Sequence, residues 1–261
     1  MHGFSLNPRW TDWTGKRVWI VGASSGIGAE LARAMLARGA RVAVSARRAD
    51  ALVSVIDGHV QGVAMPMDAC VPHDWVATQE ALCKQWDAVD MVVFCAAEYR
   101  PLRPWQINAD EARRTIETNL SSVYYGLAAV LPAMMSRRAG SVVLLASVAG
   151  YLGLPNATIY GPTKAGMINL AELLYAELHP HGLGVYLVNP GFVKTRLTAR
   201  NDFTMPALQT PEAAAAAILS GLARGRFEIA FPSRFTRSMR LLSMLPYGLR
   251  LTLLQRLMKT S

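Results

Sequence analysis

Arg17-Val-Trp-Ile-Val-Gly22-Ala-Ser-Ser-Gly26-Ile-Gly28 is the stretch whose reading decides the fold. Its apolar half, Arg17–Gly22, reads as a strand, and the glycines open a helix over Gly28–Arg38 that Gly39 ends. Glycine lets the chain turn sharply and lets backbone approach a pyrophosphate, while the helix start offers free amides and a partial positive charge. Gly22, Ser24, Ser25, Gly26, Ile27 and Gly28 are therefore candidate nucleotide contacts. A glycine-rich turn with no ligand is the plain alternative, and the strand–turn–helix setting favours the ligand.

Outward from this turn, short apolar runs alternate with helical stretches. Strands are expected at Arg41–Ser45, Gly62–Met67, Asp90–Cys95, Ser141–Ala146, Gly184–Asn189 and Phe227–Phe231. Helices are expected at Ala77–Trp86, over one long region Asp110–Ser136, from about Tyr160 to Leu178, and at Pro211–Arg224. Continuous apolar strands between helices predict one α/β domain, a Rossmann-like, doubly wound parallel sheet with helices on both faces. It would run over 16–232, after a lead-in of 1–15, with a basic amphipathic helical extension over 233–261. In such sheets ligands sit beyond the carboxyl ends of the strands.

Composition narrows the class. The 52% apolar content over 261 residues supplies a large core, with no low-complexity tract or solenoid repeat. Cys70, Cys83 and Cys95 are odd in number and form no CxxC pair, so no disulfide framework or metal site is expected. Neither a signal peptide in the first 16 residues nor an apolar run of membrane-spanning length is read, so a cytoplasmic location is expected. The net charge of +9 gathers at the end of the chain, where no acidic residue follows Glu228. With no recognition-helix motif or aromatic-interleaved basic groove, nucleic acid is not expected as a partner.

Two further clusters carry chemistry. The second strand ends Ser45-Ala46-Arg47-Arg48, where an acidic residue would bind a ribose 2′-hydroxyl and favour NAD. Arg47 instead offers a forked, charged donor suited to a 2′-phosphate, so NADP (NADPH) is the expected cofactor; Arg48 reads as a solvated surface charge. Ser147 follows an apolar strand, Tyr160 lies thirteen positions later, and Lys164, four beyond, shares its helical face. A phenol with a reference pKa of about 10 is protonated at neutral pH, and a neighbouring ammonium would lower that value toward the working range. Alone, Tyr160 reads as a half-buried core residue, Ser147 as a cap and Asn119 as a polar group inside a helix.

Taken together, the Gly22-xxx-Gly26-x-Gly28 turn, Thr118-Asn119-Leu120, Ser147-Val-Ala-Gly150, Tyr160-Gly-Pro-Thr-Lys164 and Asn189-Pro190-Gly191 resemble the short-chain dehydrogenase/reductase family. The resemblance, over about Lys16 to Phe231, implies an oxidoreductase moving hydride between a nicotinamide and a carbonyl or alcohol, with Asn119, Ser147, Tyr160 and Lys164 as its catalytic set. It implies that Tyr160 is the acid–base group, that Ser147 holds the carbonyl oxygen and that Lys164 also holds the nicotinamide ribose. Asn119 would keep a water linking Lys164 to solvent. Asp68 would lie beside the adenine, the Val193 backbone and the Thr195 hydroxyl would hold the carboxamide, and about Arg196–Thr210 would form a lid with Phe203, Met205 and Leu208. A homo-oligomer formed through the long helices is implied as well. Two departures stand out: Pro162, which places the helix start at about Gly161, and Phe94-Cys95-Ala96-Ala97 where the family usually has Asn-Asn-Ala-Gly.

In the tail, Thr252, Gln255, Arg256 and Lys259 share one arc of a helix while Leu249, Leu253, Leu254 and Leu257 fill the rest. That pattern reads equally as an interfacial membrane segment, at the inner face, or as a helix packed on the body or another subunit. Membrane contact would make a long-chain or lipid-like carbonyl substrate attractive. A catalytically silent nucleotide-binding regulator and a peripheral membrane-binding protein are the alternatives to the enzyme.

Overall fold

A computed structural model of the chain describes residues 5–259, with side chains described up to 256. Seven parallel strands form one sheet in the order β3-β2-β1-β4-β5-β6-β7, where β1 is Arg17–Val21, β2 Arg41–Ser45, β3 Gly62–Ala64, β4 Met91–Phe94, β5 Gly140–Leu145, β6 Leu183–Pro190 and β7 Glu228–Phe231. The chain order reverses between β1 and β4, which pair in register from Val18↔Met91 to Val21↔Phe94. That reversal opens the crevice where doubly wound folds bind ligands.

Alternation along β1 shows how the two layers are built. Val18 and Ile20 face the core formed with α1 (Gly26–Leu36), α2 (Ala49–Ile56) and α7 (Pro211–Ala223). Trp19 and Val21 face the core formed with α3 (Pro72–Trp86), α5 (Ser122–Arg137) and α6 (Tyr160–Leu178). Period-two side-chain direction thus puts an apolar residue on both faces of a fully covered strand.

Several boundaries differ from the sequence reading. Helix α2 was not anticipated, and β3 ends at Ala64 instead of Met67. Helix α3 begins at Pro72, with Pro at the first turn and Asp74 accepting a bond from the Asp68 backbone, so it starts five residues earlier than the apolar period suggests. The long helical region is interrupted between α4 (Ala109–Ile116) and α5 by a π-helical turn, Glu117–Ser121, that carries Asn119. Pro162 lies in the first turn of α6, as its ring geometry requires.

The lead-in is bound to the body. Both ends of the Asn7 amide bond to the backbone of Val185 in β6, at 2.7 and 2.9 Å, and Trp13 is buried in the α1–α7 core. The extension forms two helices, α8 (Ser233–Met244) and α9 (Tyr247–Lys259). On α9, Leu254 is buried and Leu249 exposed, while the side chains of Leu257 and Lys259 lie outside the described residues. No described helix is long and apolar enough to cross a membrane.

Candidate active site

A cleft of about 490 Å³ runs across the carboxyl ends of the strands. Its floor is the glycine turn. Gly22 adopts φ +92°, and a Cβ there would stand 2.3 Å from the Ala96 backbone nitrogen. A Cβ on Gly28 would stand 2.6 Å from the Gly22 carbonyl oxygen, and one on Gly26 would stand 3.0 Å from Thr195. The turn is therefore pressed against the end of β4 and the loop after β6, a closeness that only missing side chains permit. Ser25, the N-cap of α1, makes no side-chain cap bond, so no side chain of the cap competes for the first-turn amides. Gly22, Ser24, Ser25, Gly26 and Ile27 line the cleft, whereas Gly28 packs beneath the turn.

At the same end Arg47 and Arg48 both border the cleft. Arg48 is exposed, as read, and its guanidinium also donates to Ser24 Oγ at 3.2 Å at the edge of the glycine turn. Asp68 lines the cleft as well, while its Oδ1 accepts from the Cys70 amide at 3.0 Å and shapes its own turn. These groups fit a dinucleotide: uncapped helix amides for a pyrophosphate, and two guanidiniums where the adenosine ribose would carry a further phosphate.

Ser147, Tyr160 and Lys164 meet at the other end of the same cleft. Ser147 caps a short 3₁₀ turn, its Oγ accepting from the Ala149 amide at 3.1 Å. Tyr160 begins α6, and Lys164, one helical turn on, sits with Nζ 5.5 Å from the Tyr160 ring centre. Lys164 is buried and donates to the Leu145 carbonyl at 2.8 Å.

The electrostatics differ from the expectation of a lowered phenol pKa. Burial pushes Tyr160 up to about 12, with the Ser147 hydroxyl pulling the other way, and burial pushes Lys164 down to about 8. Desolvation penalises both charged forms and is the largest cause at each group. The sign of the stability effect follows. Between pH 8 and about 10.5 the unfolded Lys164 holds a proton that the folded one has lost, so this group makes stability rise with pH across that window. From about 10 to 12 the unfolded Tyr160 ionises first, and stability falls again. Urea titrations without nucleotide should show this rise, and Lys164→Met should flatten it; an unchanged rise in the variant would rule out Lys164 as its source.

Asn119 is buried and off the cleft wall. Its Oδ1 accepts from the Glu98 amide at 2.6 Å, and its Nδ2 donates to the Glu98 carbonyl at 2.9 Å and to Thr163 Oγ1 at 3.2 Å. The π turn thus clamps the segment after β4 to the first turn of α6. This clamp bears on Phe94-Cys95-Ala96-Ala97, which lacks amide side chains of its own. Phe94 packs into the core, its ring 5.5 Å from that of Trp75, in space left by Gly126. Cys95 is pushed up to about 11 by burial and is an inert thiol near neutral pH.

Val193 and Thr195 also line the cleft. Thr198 fastens them, its Oγ1 donating to the Val193 carbonyl at 2.6 Å and accepting from the Thr195 amide at 3.0 Å. Tyr99 and Asn201 escaped the sequence reading. Tyr99 meets the Tyr160 ring edge-on at 5.0 Å, and its hydroxyl donates to Asn201 Oδ1 at 2.8 Å. Arg200 donates to the Tyr99 carbonyl at 2.9 Å, so the segment after Thr195 is strapped over the reacting end. Phe203 packs edge-on against Phe192 at 5.7 Å, consistent with an apolar cover. No local pattern marks Tyr99 or Asn201, whose partners lie about a hundred residues away.

A doubly wound parallel sheet with a glycine turn at its switch point and a hydroxyl, a phenol and an ammonium at the far end defines a dinucleotide-dependent oxidoreductase class. Residues 16–205 match the family model described as short chain dehydrogenase, and the chain belongs to that family. Its members among the relatives act on CH–OH and C=O groups. An uncharacterized oxidoreductase of Myxococcus xanthus is 32% identical over 87% of this chain and 91% of its own length. The 3-oxoacyl-(acyl-carrier-protein) reductase FabG of Escherichia coli is 33% identical over 70% of this chain and 76% of its own. Among solved structures, a short-chain dehydrogenase from Sphingobium yanoikuyae in complex with NADPH superposes with TM-score 0.76 and 27% identity, covering 89% of this chain and 97% of that one.

Proposed function

We propose that this chain is an NADPH-dependent reductase of ketones or aldehydes, with Ser147, Tyr160 and Lys164 as its catalytic residues. The observation that carries the reading is one continuous cleft that holds this triplet at one end and the glycine turn with Arg47 and Arg48 at the other. Gly22, Ser24, Ser25, Gly26, Ile27, Asp68, Val193 and Thr195 would hold the cofactor, and the nicotinamide, when bound, supplies or accepts the hydride. Ser147 donates a hydrogen bond to the carbonyl oxygen, where negative charge develops. Tyr160 gives that oxygen its proton. A phenol held near 12 is fully protonated at neutral pH, the state this reductive direction needs. Lys164 places a group that titrates near neutrality beneath the phenol, and Asn119 fixes the start of α6 through Thr163.

Turnover of NADPH and NADH over ketones and aldehydes of graded chain length tests the assignment. NADPH is expected to be the better substrate, and longer chains to react faster beneath the cover formed by Tyr99, Phe192 and Phe203. A double change Arg47→Gln/Arg48→Gln removes two charge-assisted contacts, and the NADPH-over-NADH ratio should fall about a hundredfold. A wild-type preference for NADH would overturn the NADP assignment. Nucleotide binding without turnover on any carbonyl would favour a silent regulator. Assembly into a homo-oligomer through α5 and α6 is part of the same proposal, and the exposed Tyr124 and Leu173 on those helices supply apolar surface for it.

A further inference from the structure

Beyond the cleft, the extension presents a surface with one composition. Five of the sixteen exposed large hydrophobic side chains among the described residues fall within positions 241–251: Leu241, Met244, Tyr247, Leu249 and Leu251, each 50% to 75% exposed. They surround the turn between α8 and α9. Five exposed apolar side chains within eleven positions are a denser run than the scattered exposure usual on a monomer.

The extension is anchored where it leaves the body. Thr236 is buried, and the Phe235 ring lies 5.8 Å from that of Phe192. The Arg240 guanidinium is paired with Glu228 of β7, whose carboxylate also accepts from Tyr151 and from Asn189 Nδ2. At the turn, Arg250 stacks on Tyr247 at 4.3 Å and donates to the Ser243 carbonyl at 2.6 Å, tying the first turn of α9 to the last turn of α8. A tip organised in advance loses little conformational freedom when it docks.

Charge selects the occupant. Residues 229–261 contain Arg234, Arg237, Arg240, Arg250, Arg256 and Lys259 and no acidic side chain. Were the tip to pair with the same tip of a second copy, two basic extensions would meet with no acidic side chain after Glu228 in either to offset the charge. An anionic lipid surface instead offers hydrocarbon to Leu241, Met244 and Tyr247 and phosphate to the exposed Arg234 and Arg237. We propose that the α8–α9 extension is a peripheral docking element that seats the apolar side chains around its turn in the headgroup boundary of an anionic bilayer.

Flotation of the full chain with phosphatidylglycerol/phosphatidylcholine vesicles, and with phosphatidylcholine alone, tests this. The chain is expected to float with the anionic vesicles, to float at least about tenfold less with neutral ones, and to release as salt rises. Leu241→Gln/Met244→Gln should lower partition about tenfold or more without changing the melting temperature, since both side chains are exposed. Arg234→Gln/Arg237→Gln should erase the preference for anionic vesicles. Wild type that stays in solution with both vesicle types, or that floats equally well as either variant, would overturn the proposal. So would a fall in oligomeric mass on Leu241→Gln/Met244→Gln without vesicles, which would make this face an interface between copies.

Discussion

Tyr160→Phe should lower kcat/KM for carbonyl reduction about a thousandfold while leaving nucleotide affinity within about twofold, because a positioned general acid contributes about 10²–10⁴ in rate. The substitution removes one oxygen and keeps the ring that Tyr99 meets edge-on at 5.0 Å, so the packing at the head of α6 is preserved. Stability should hold, since Tyr160 is half-buried on the cleft wall and its ring packing is kept. Ser147→Ala should lose less, about a hundredfold, as one oxyanion donor of several. Stopped-flow reduction alongside nucleotide titration separates the two quantities. Retained turnover in the Tyr160→Phe protein would sink the acid assignment, whereas equal losses of turnover and nucleotide binding would show that the hydroxyl serves binding instead.

The second large effect belongs to Gly22. An alanine there would place its Cβ 2.3 Å from the Ala96 nitrogen and 2.6 Å from the Cys95 carbonyl carbon, both backbone atoms that cannot swing aside. It would also hold a φ of +92°, which L residues rarely adopt. Overpacking and backbone strain each cost about 1–3 kcal/mol, so a loss of about 4 kcal/mol is expected. For a chain of this size that corresponds to a fall of about 10 °C in Tm. Nucleotide affinity should drop with it, because β4 must move away from the turn. Gly153→Ala is the control: nothing lies within 4 Å of its Cβ and its φ is ordinary, so Tm should hold or rise slightly. A Gly22→Ala protein with wild-type Tm and nucleotide affinity would contradict the close-packed reading of the turn.

Both predictions rest on residues legible in the linear sequence. Gly22, Gly26 and Gly28 were legible because a strand, a glycine turn and a helix start are neighbours in the chain, and their spacing reports local backbone geometry. Tyr160 and Lys164 were legible because positions four apart share one helical face. Helix α2 was not, since its eight residues are too few for a period to stand out beside the strand that precedes them. The early start of α3 was not legible because its N-cap residue, Val71, has no capping side chain, and the Asp74 carboxylate turns back to the Asp68 amide.

What the sequence by itself determined is the order of alternating strands and helices, the glycine turn at the first crossover, and the chemistry available at Ser147, Tyr160 and Lys164. Each depends on residues close together along the chain, where period, turn type and side-chain spacing are set by covalent geometry. The tertiary structure alone decided which distant groups meet. Tyr99 and Asn201 close over Tyr160 across 102 positions, the exposed Arg48 reaches Ser24, and Asn119 clamps Glu98 to α6. It also reversed the expected direction at Tyr160. Proximity to Lys164 was visible in the sequence, but the depth of burial was not, and removal from water raises the phenol and lowers the ammonium.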